Sequence, residues 1–246
     1  MPRPAGLPVA EPGVVTRALL ALARAGTDDR ALARRICRAC VDGLDVDGAA
    51  ISLSTTTTAR QTLAVTDRTA ELLEDLQFTL NEGACVEAAG TGSPVLLDDL
   101  RASTEIARWP MFAAAVLERS PVRALFALPL QWGAVNLGVL DLYRRTPGPL
   151  HDEQLRDALG AADAAALMML GLRTEPDHGA AGLLDHATVD RAEVHQATGM
   201  VSVQMDVTVT EALARMRAHA FVHDRLLIDV ARDVVGRRLA FTEEME

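Results

Sequence analysis

The sequence predicts an α+β protein in which an antiparallel sheet is covered by helices and followed by an all-α unit of three helices. Two apolar runs, 124–130 and 134–143, flank the short connection Gln131-Trp132-Gly133 and read as an antiparallel hairpin. Both faces of each strand are apolar, so helices must cover the hairpin on either side. Past Pro147-Gly148-Pro149 an Ala-rich helix runs over 152–172, and past the turn residues of 173–182 the pattern is helical alone.

The elements before the hairpin follow in order. Residues 1–26 form a Pro-rich tail and a first helix. Within 14–44 the apolar positions Leu19, Leu22, Leu32, Ile36 and Val41 recur at helical spacing, with a break at Gly26-Thr27-Asp28 where Thr27 or Asp28 can cap the second piece. Strands are expected over 49–54 and 61–65, joined by a loop of threonines at 55–58. A helix over 68–77 carries Leu72, Leu73 and Leu76 on one side. Asn81-Glu82-Gly83 and Gly90-Thr91-Gly92 are loop signals around a short segment holding Cys85. A short strand at 94–97 precedes a helix over 106–117. Pro129 fits a strand end or a bulge better than a strand interior.

In the 152–172 helix Leu155, Leu159, Ala162, Ala166 and Met169 make a narrow stripe suited to close helix packing. If one protomer leaves that stripe uncovered, it is a homodimer seam. The chain therefore divides into 1–26, an α+β domain at 27–172, a linker at 173–182 and a helical domain at 183–241. In the last, a helix over 187–205 is followed by a second that begins at the capping box Thr208-Val209-Thr210-Glu211 and runs through Phe221. Asp224 is placed to cap a third, over 225–238.

Composition bounds the function. Hydrophobic residues make up 49% and aromatics 3%, so aliphatic side chains fill the core. The 24 basic residues are all Arg, and against 34 acids they leave a formal charge of -10, which excludes bulk attraction to nucleic acid or anionic lipid. Three cysteines make no disulfide framework and fit a reducing, cytoplasmic setting. No signal peptide is evident, and the most apolar run, 164–172, is too short for a bilayer, so no membrane is expected.

The C-terminal stretches 194–205, 210–220 and 227–235 contain Gln196-Ala197-x-Gly199, Glu211-Ala212-Leu213 and Asp229-Val230-Ala231 in order, and resemble the ANTAR domain. The middle of the chain, with Ala127-Leu128-Pro129-Leu130 followed by Leu137-Gly138-Val139-Leu140, resembles a GAF sensory domain. Together they resemble GAF and ANTAR transcription antitermination regulators of the actinobacterial type. The resemblance implies a signal-responsive regulator, with a small molecule or protein signal at the GAF-like part and RNA stem-loops as partner of the three helices. It implies RNA contact by Arg215, Arg217, His219 and Arg225, with Gln196 and Thr198 lining the same side. Arg guanidinium groups suit this role because they pair with phosphate and stack on unpaired bases. The plainer reading is a solvated helix face with Glu211 paired to Arg215.

Three positions depart from the family pattern. Thr198, Ser202 and Gln204 stand where Lys, Met and a basic residue are usual. Residues 187–241 hold seven Arg against seven acids, so this domain is neutral. Thr198 can bond a phosphate but cannot release counterions as Lys does.

For the GAF-like part the resemblance places Cys85, Glu87, Asp98, Asp99 and Trp109 in segments that wall a ligand pocket. The plainer reading has Asp98 and Asp99 capping a turn and Trp109 filling core. No residue pattern names a cofactor. Cys37-Arg38-Ala39-Cys40 is a C-x-x-C inside a helix, better read as buried small residues than as a redox motif, and no metal site is expected. No catalytic constellation is present beyond the thiols, so an enzyme is not expected. The alternatives are a thiol enzyme of the methionine sulfoxide reductase type with Cys85 as nucleophile, or a DNA-binding or protein-interaction regulator.

Overall fold

The hairpin lies at the centre of the protein. In the computed structural model, which describes residues 13–22, 29–54, 60–133, 135–174 and 188–242, β4 (Ala124–Trp132) pairs antiparallel with β5 (Val135–Arg144). Pro129 stands in register opposite Val139, and the ladder slips immediately beyond it, between Leu130 and Gln131. β1 (Gly48–Ser54) pairs with the other edge of β5, β2 (Arg60–Val65) with β1, and β3 (Val95–Leu97) with β4. The sheet order is β2-β1-β5-β4-β3, all antiparallel. At Gly138 a Cβ would lie 2.1 Å from the Ser52 carbonyl oxygen, so this approach of β5 to β1 requires glycine.

Alternation splits the sheet into two apolar faces. Ile51, Leu53, Phe126, Leu128, Leu140 and Leu142 pack under α1 (Val14–Leu22), α2 (Asp29–Leu44) and α7 (Asp152–Thr174). Ala50, Leu125, Ala127, Val139 and Tyr143 point the other way, into a core shared with α3 (Arg68–Leu80), α4 (Ala84–Thr91) and α6 (Pro110–Arg119). The result is a helix–sheet–helix sandwich.

Several expectations are corrected here. The loop signal Gly90-Thr91-Gly92 begins too early: the segment around Cys85 is a helix, α4, that runs through Thr91, and its first turn is held from outside, where Gln77 Oε1 accepts from the Cys85 backbone N–H at 2.7 Å. The helix expected over 106–117 is two, α5 (Ser103–Arg108) and α6, because the residue before a proline avoids helical dihedrals; Trp109 sits at φ -136°, ψ 71° and Pro110 begins α6. The Ala-rich stripe of α7 is not open. Ala162, Ala166 and Met169 belong to the core beneath α1, α2 and β4, and Asp157 of α7 caps α1 by accepting from the Val15 and Thr16 N–H groups at 2.9 and 3.0 Å. The seam proposed for a homodimer is thus covered within one chain.

The C-terminal helices α8 (Thr188–Met205), α9 (Val209–Val222) and α10 (Leu227–Val235) bury Val194, Val201, Met216, Ala220, Val230 and Val234 in a core of their own. Thr208 caps α9 through its hydroxyl, which accepts from the Glu211 N–H at 3.2 Å. The reciprocal half of the capping box is replaced by an ion pair of Glu211 with Arg215 at 2.9 Å. Asp224 does not cap α10. It adopts a left-handed φ of 50° and pairs with Arg119, while Leu226 occupies the cap position. Thr27, Asp28, the 55–58 loop and residues 175–182 of the linker lie outside the described residues. Among the described residues no helix is long and apolar enough to cross a membrane.

Candidate functional site

The polar groups of the α3–α4 core layer converge on one point. Ala70, Leu73, Glu74 and Gln77 share the inward face of α3, as i, i+3, i+4, i+7 spacing requires. Asp67 fixes the helix start. One of its oxygens accepts from the Thr69 and Ala70 N–H groups at 2.7 and 3.0 Å, and also from the Tyr143 hydroxyl at 3.0 Å. Glu74 is 5% exposed and accepts from the Thr62 hydroxyl through Oε2 at 3.1 Å, while its Oε1 is buried with no hydrogen-bond partner. Asp141, from β5, points to the same place, directly across the ladder from Ala50 and Ala127. The ligand atoms of Glu74, Cys85 and Asp141 all lie within 4.8 Å of one another. Cys85 Sγ is 3.4 Å from Ser52 Oγ. Beside them is a cavity of about 10 Å³, room for roughly one water, walled by Ala50, Leu73, Gln77, Leu125 and Tyr143 among others.

Of the pocket candidates read from the sequence, Cys85 alone reaches this cluster. Trp109 fills the same core layer edge-on to Phe112. Glu87 is a surface partner of Arg108, whose Nε donates to it at 2.9 Å. Asp98 is exposed, and Asp99 caps the next turn through the Arg101 N–H and holds Arg123 at 2.8 Å. Sequence reasoning misses Glu74 and Asp141. The available signals are a lone acid inside an otherwise apolar strand, at Asp141, and an acid and an amide on the inward face of a helix, at Glu74 and Gln77.

Cys37 and Cys40 are fully buried on the opposite face of the sheet, in the α2–α7 layer. Burial, then the charge of Cys40, pushes the Cys37 thiol well above its ordinary value; burial, then Asp157, pushes Cys40 up to about 12. The thiolate is the reactive form, so iodoacetamide at pH 8 is expected to leave both unlabelled in the native chain and to label both in denaturant, as peptide mass mapping will show.

The six residues nominated for RNA do not form one face. Thr198 is 3% exposed, and its hydroxyl donates to the Val194 carbonyl at 2.6 Å and faces Met216 Sδ. Gln196 is exposed and lines an open groove of about 660 Å³ with Gly199, Val203, Gln204 and Arg237. Arg215 pairs with Glu211. Arg217 lies over the Phe78 ring of α3 at 5.8 Å. Arg225 pairs with Asp233 at 2.6 Å. Ser202 and Gln204, the other family departures, are used internally: Ser202 donates to the Val207 carbonyl at 2.6 Å, and Gln204 accepts from the Phe241 N–H at 3.0 Å.

His219 stacks on His223 at 4.0 Å and meets Phe241 edge-on at 5.3 Å. Burial, then the charges of His223 and Arg225, holds its pKa below 6.5. Its neutral form is favoured in the fold, so the unfolded chain takes up the proton first. The stability this confers is present above pH 6.5 and lost as pH falls through the lower folded value. Thermal melts at pH 7.5 and 5.5 are expected to show the loss, and His219→Gln to reduce it.

The two parts touch. Thr79 Oγ1, on α3, accepts from the Leu227 N–H at 3.2 Å and so satisfies an N–H at the start of α10. Phe78 packs on the core of the C-terminal helices, and Leu226 on that of the α+β domain. A groove of about 320 Å³ runs along this contact, between Leu76, Met111 and Ala115 on one side and Ala220 and Phe221 on the other.

A five-stranded antiparallel sheet between helical layers, with a small, mostly apolar chamber holding Glu74, Gln77 and Asp141 under one of them, defines a layered α+β module. A profile described as GAF domain matches residues 26–169, more than half of the chain. The chain belongs to the GAF domain family, which suggests a signal-sensing role. Among solved structures it is similar to a domain assigned to a two-component sensor histidine kinase from Sinorhizobium meliloti 1021, at 16% identity and a TM-score of 0.50 over 61% of this chain and 96% of that one. It is also similar to the GAF domain of a phosphoenolpyruvate-protein phosphotransferase from Coxiella burnetii, at 12% identity and a TM-score of 0.52 over 65% and 92%. A free methionine-R-sulfoxide reductase from Neisseria meningitidis, in complex with its substrate, aligns at 14% identity and a TM-score of 0.46 over 65% and 88%. Likeness at these identities shows the fold alone. No curated protein matches the chain.

Proposed function

We propose that the chain is a signal-responsive regulator: its GAF domain senses a signal in the α3–α4 core, and α8–α10 bind the loops of paired RNA hairpins to promote transcription antitermination. The observation that carries the coupling is the double use of α3. One face places Glu74 and Gln77 in the small chamber, and the next residues, Phe78 and Thr79, hold α9 and α10. A change in the chamber that tilts α3 therefore reaches the C-terminal helices directly. RNA as the output is supported by the ordered ANTAR-like motifs. RNA loops, unlike A-form duplex, present bases for stacking by Arg.

A non-enzymatic role is supported by the placement of the thiols. Cys85 is 1% exposed, and the other two cysteines lie across the sheet from it, so neither is placed to resolve a sulfenic acid formed there.

The test is binding of a two-hairpin RNA leader by the full chain across a salt series. The neutral C-terminal domain should give a shallow slope, about 2 to 4 released ions per protomer. Arg215→Glu with Arg217→Glu should weaken binding more than tenfold with circular dichroism unchanged. Wild-type affinity in that variant, or equal binding of duplex DNA, overturns the RNA assignment.

A further inference from the structure

We infer that Glu74, Cys85 and Asp141 form a binding site for one divalent transition-metal ion, held inside the GAF core. The inference deepens the sensor reading above by giving the chamber a ligand class.

Three elements deliver the donors: Glu74 from α3, Cys85 from the first turn of α4 and Asp141 from the middle of β5. Their ligand atoms lie within 4.8 Å of one another, and a tetrahedral ion with bonds of about 2.0–2.3 Å needs donors about 3.4 Å apart. A contraction of up to roughly 1.4 Å closes the set. The independent pointer is Glu74 itself. It is 5% exposed and lines the chamber, and Oε1 is buried with no hydrogen-bond partner, an arrangement that costs free energy unless something electropositive is supplied. No Arg or His lines the chamber among the described residues. A bound cation reverses the cost of burying the Glu74 carboxylate.

The surroundings support the ligands. Thr62 bonds the other oxygen of Glu74, Gln77 fixes the backbone of Cys85, and Ser52 Oγ stands 3.4 Å from its sulfur. The donor chemistry selects the ion. One thiolate beside two carboxylates disfavours Ca²⁺ and Mg²⁺, which prefer oxygen alone, and Cu⁺, which prefers sulfur, and suits borderline ions such as Zn²⁺, Fe²⁺ or Co²⁺. Water completes the coordination, and the Cys85 thiol proton passes to solvent on binding.

Co²⁺ is the probe, because a cobalt–thiolate bond gives a near-ultraviolet charge-transfer band. Chelator-treated, reduced full-length chain is titrated with cobalt chloride in the native state and, separately, during refolding, since the site is enclosed. A band that saturates at a single site is expected. It should be lost in Cys85→Ser, be at least about tenfold weaker in affinity in Glu74→Gln and Asp141→Asn, and persist in Cys37→Ser with Cys40→Ser. Absence of the band under both loadings, or its survival in Cys85→Ser, overturns the site. Should Cys85→Ser not fold, the two carboxylate variants decide: cobalt affinity equal to wild type in both overturns it. Cobalt uptake is read without RNA, so failure here leaves the RNA result standing, and the converse holds.

Discussion

Replacing Arg144 by Met is expected to lower the unfolding free energy by about 3–5 kcal/mol. Arg144 ends β5 and is 7% exposed. Its guanidinium donates to the carbonyls of Asp45 at 2.7 Å, Pro149 at 3.1 Å and Leu44 at 3.4 Å, and to Gln154 Oε1 at 3.2 Å. Those acceptors are the end of α2, the turn after β5 and the first helical turn of α7. One side chain therefore joins three chain segments that local sequence leaves unconnected. The guanidinium also lies over the Phe126 ring, 5.7 Å from its centroid; Met fills that volume but leaves the carbonyls without donors. Arg144→Lys keeps a charge without the planar fork and should recover only part of the loss. Urea unfolding followed by circular dichroism measures both; a loss below about 1 kcal/mol in the Met variant would show that water replaces the guanidinium without penalty.

The same feature explains what the sequence shows and what it conceals. Elements whose signals are local are legible: the 124–143 hairpin, the Ala-rich helix and the three C-terminal helices, where Thr208 begins α9 through its own hydroxyl. Helix ends held by distant side chains are not. Asp157 caps α1 from α7, Gln77 caps α4 from α3, Glu82 accepts from the Met111 and Phe112 N–H groups at the start of α6, and Thr79 caps α10. No spacing rule reveals a cap that arrives from 142 or 148 residues away. The 152–172 stripe misleads for a related reason. Periodicity tells that α7 buries a narrow face, but α1, which covers it, is an element of the same chain. At the candidate site Cys85 stands out by residue type, whereas Glu74 and Asp141 do not, because an acid on a helix or in a strand is by default a solvated one. Their significance appears only when β5 and α3 meet. The Glu211–Arg215 pair, by contrast, is readable from its i, i+4 spacing.

The contact between α3 and the C-terminal helices leads to the second large effect: Phe78→Ala combined with Thr79→Val should raise RNA affinity about tenfold or more. Arg217 lies against Phe78, and Arg225 and Phe221 border the groove beneath α9, so a docked C-terminal unit withholds part of the surface proposed for RNA. Binding to RNA then proceeds from the undocked fraction, and the apparent dissociation constant is raised by the inverse of that fraction. Neither substituted residue belongs to α8–α10, so the intrinsic affinity is untouched. In the docked state Thr79→Val strands the Leu227 N–H, a cost of about 1–3 kcal/mol, and loss of the Phe78 ring removes packing against the C-terminal core. When undocked, the same N–H is hydrated and nothing is lost, so the substitutions act on the equilibrium alone. The Arg119–Asp224 pair contributes little because Asp224 is 82% exposed, and Arg119→Ala should change affinity far less than the double variant. Hydrogen exchange separates the outcomes: the Leu227 amide should lose protection in the double variant while Val230 and Val234, bonded within α10, keep theirs. Lost protection at Leu227 with unchanged RNA affinity would mean that α3 holds the helices without governing their access to RNA.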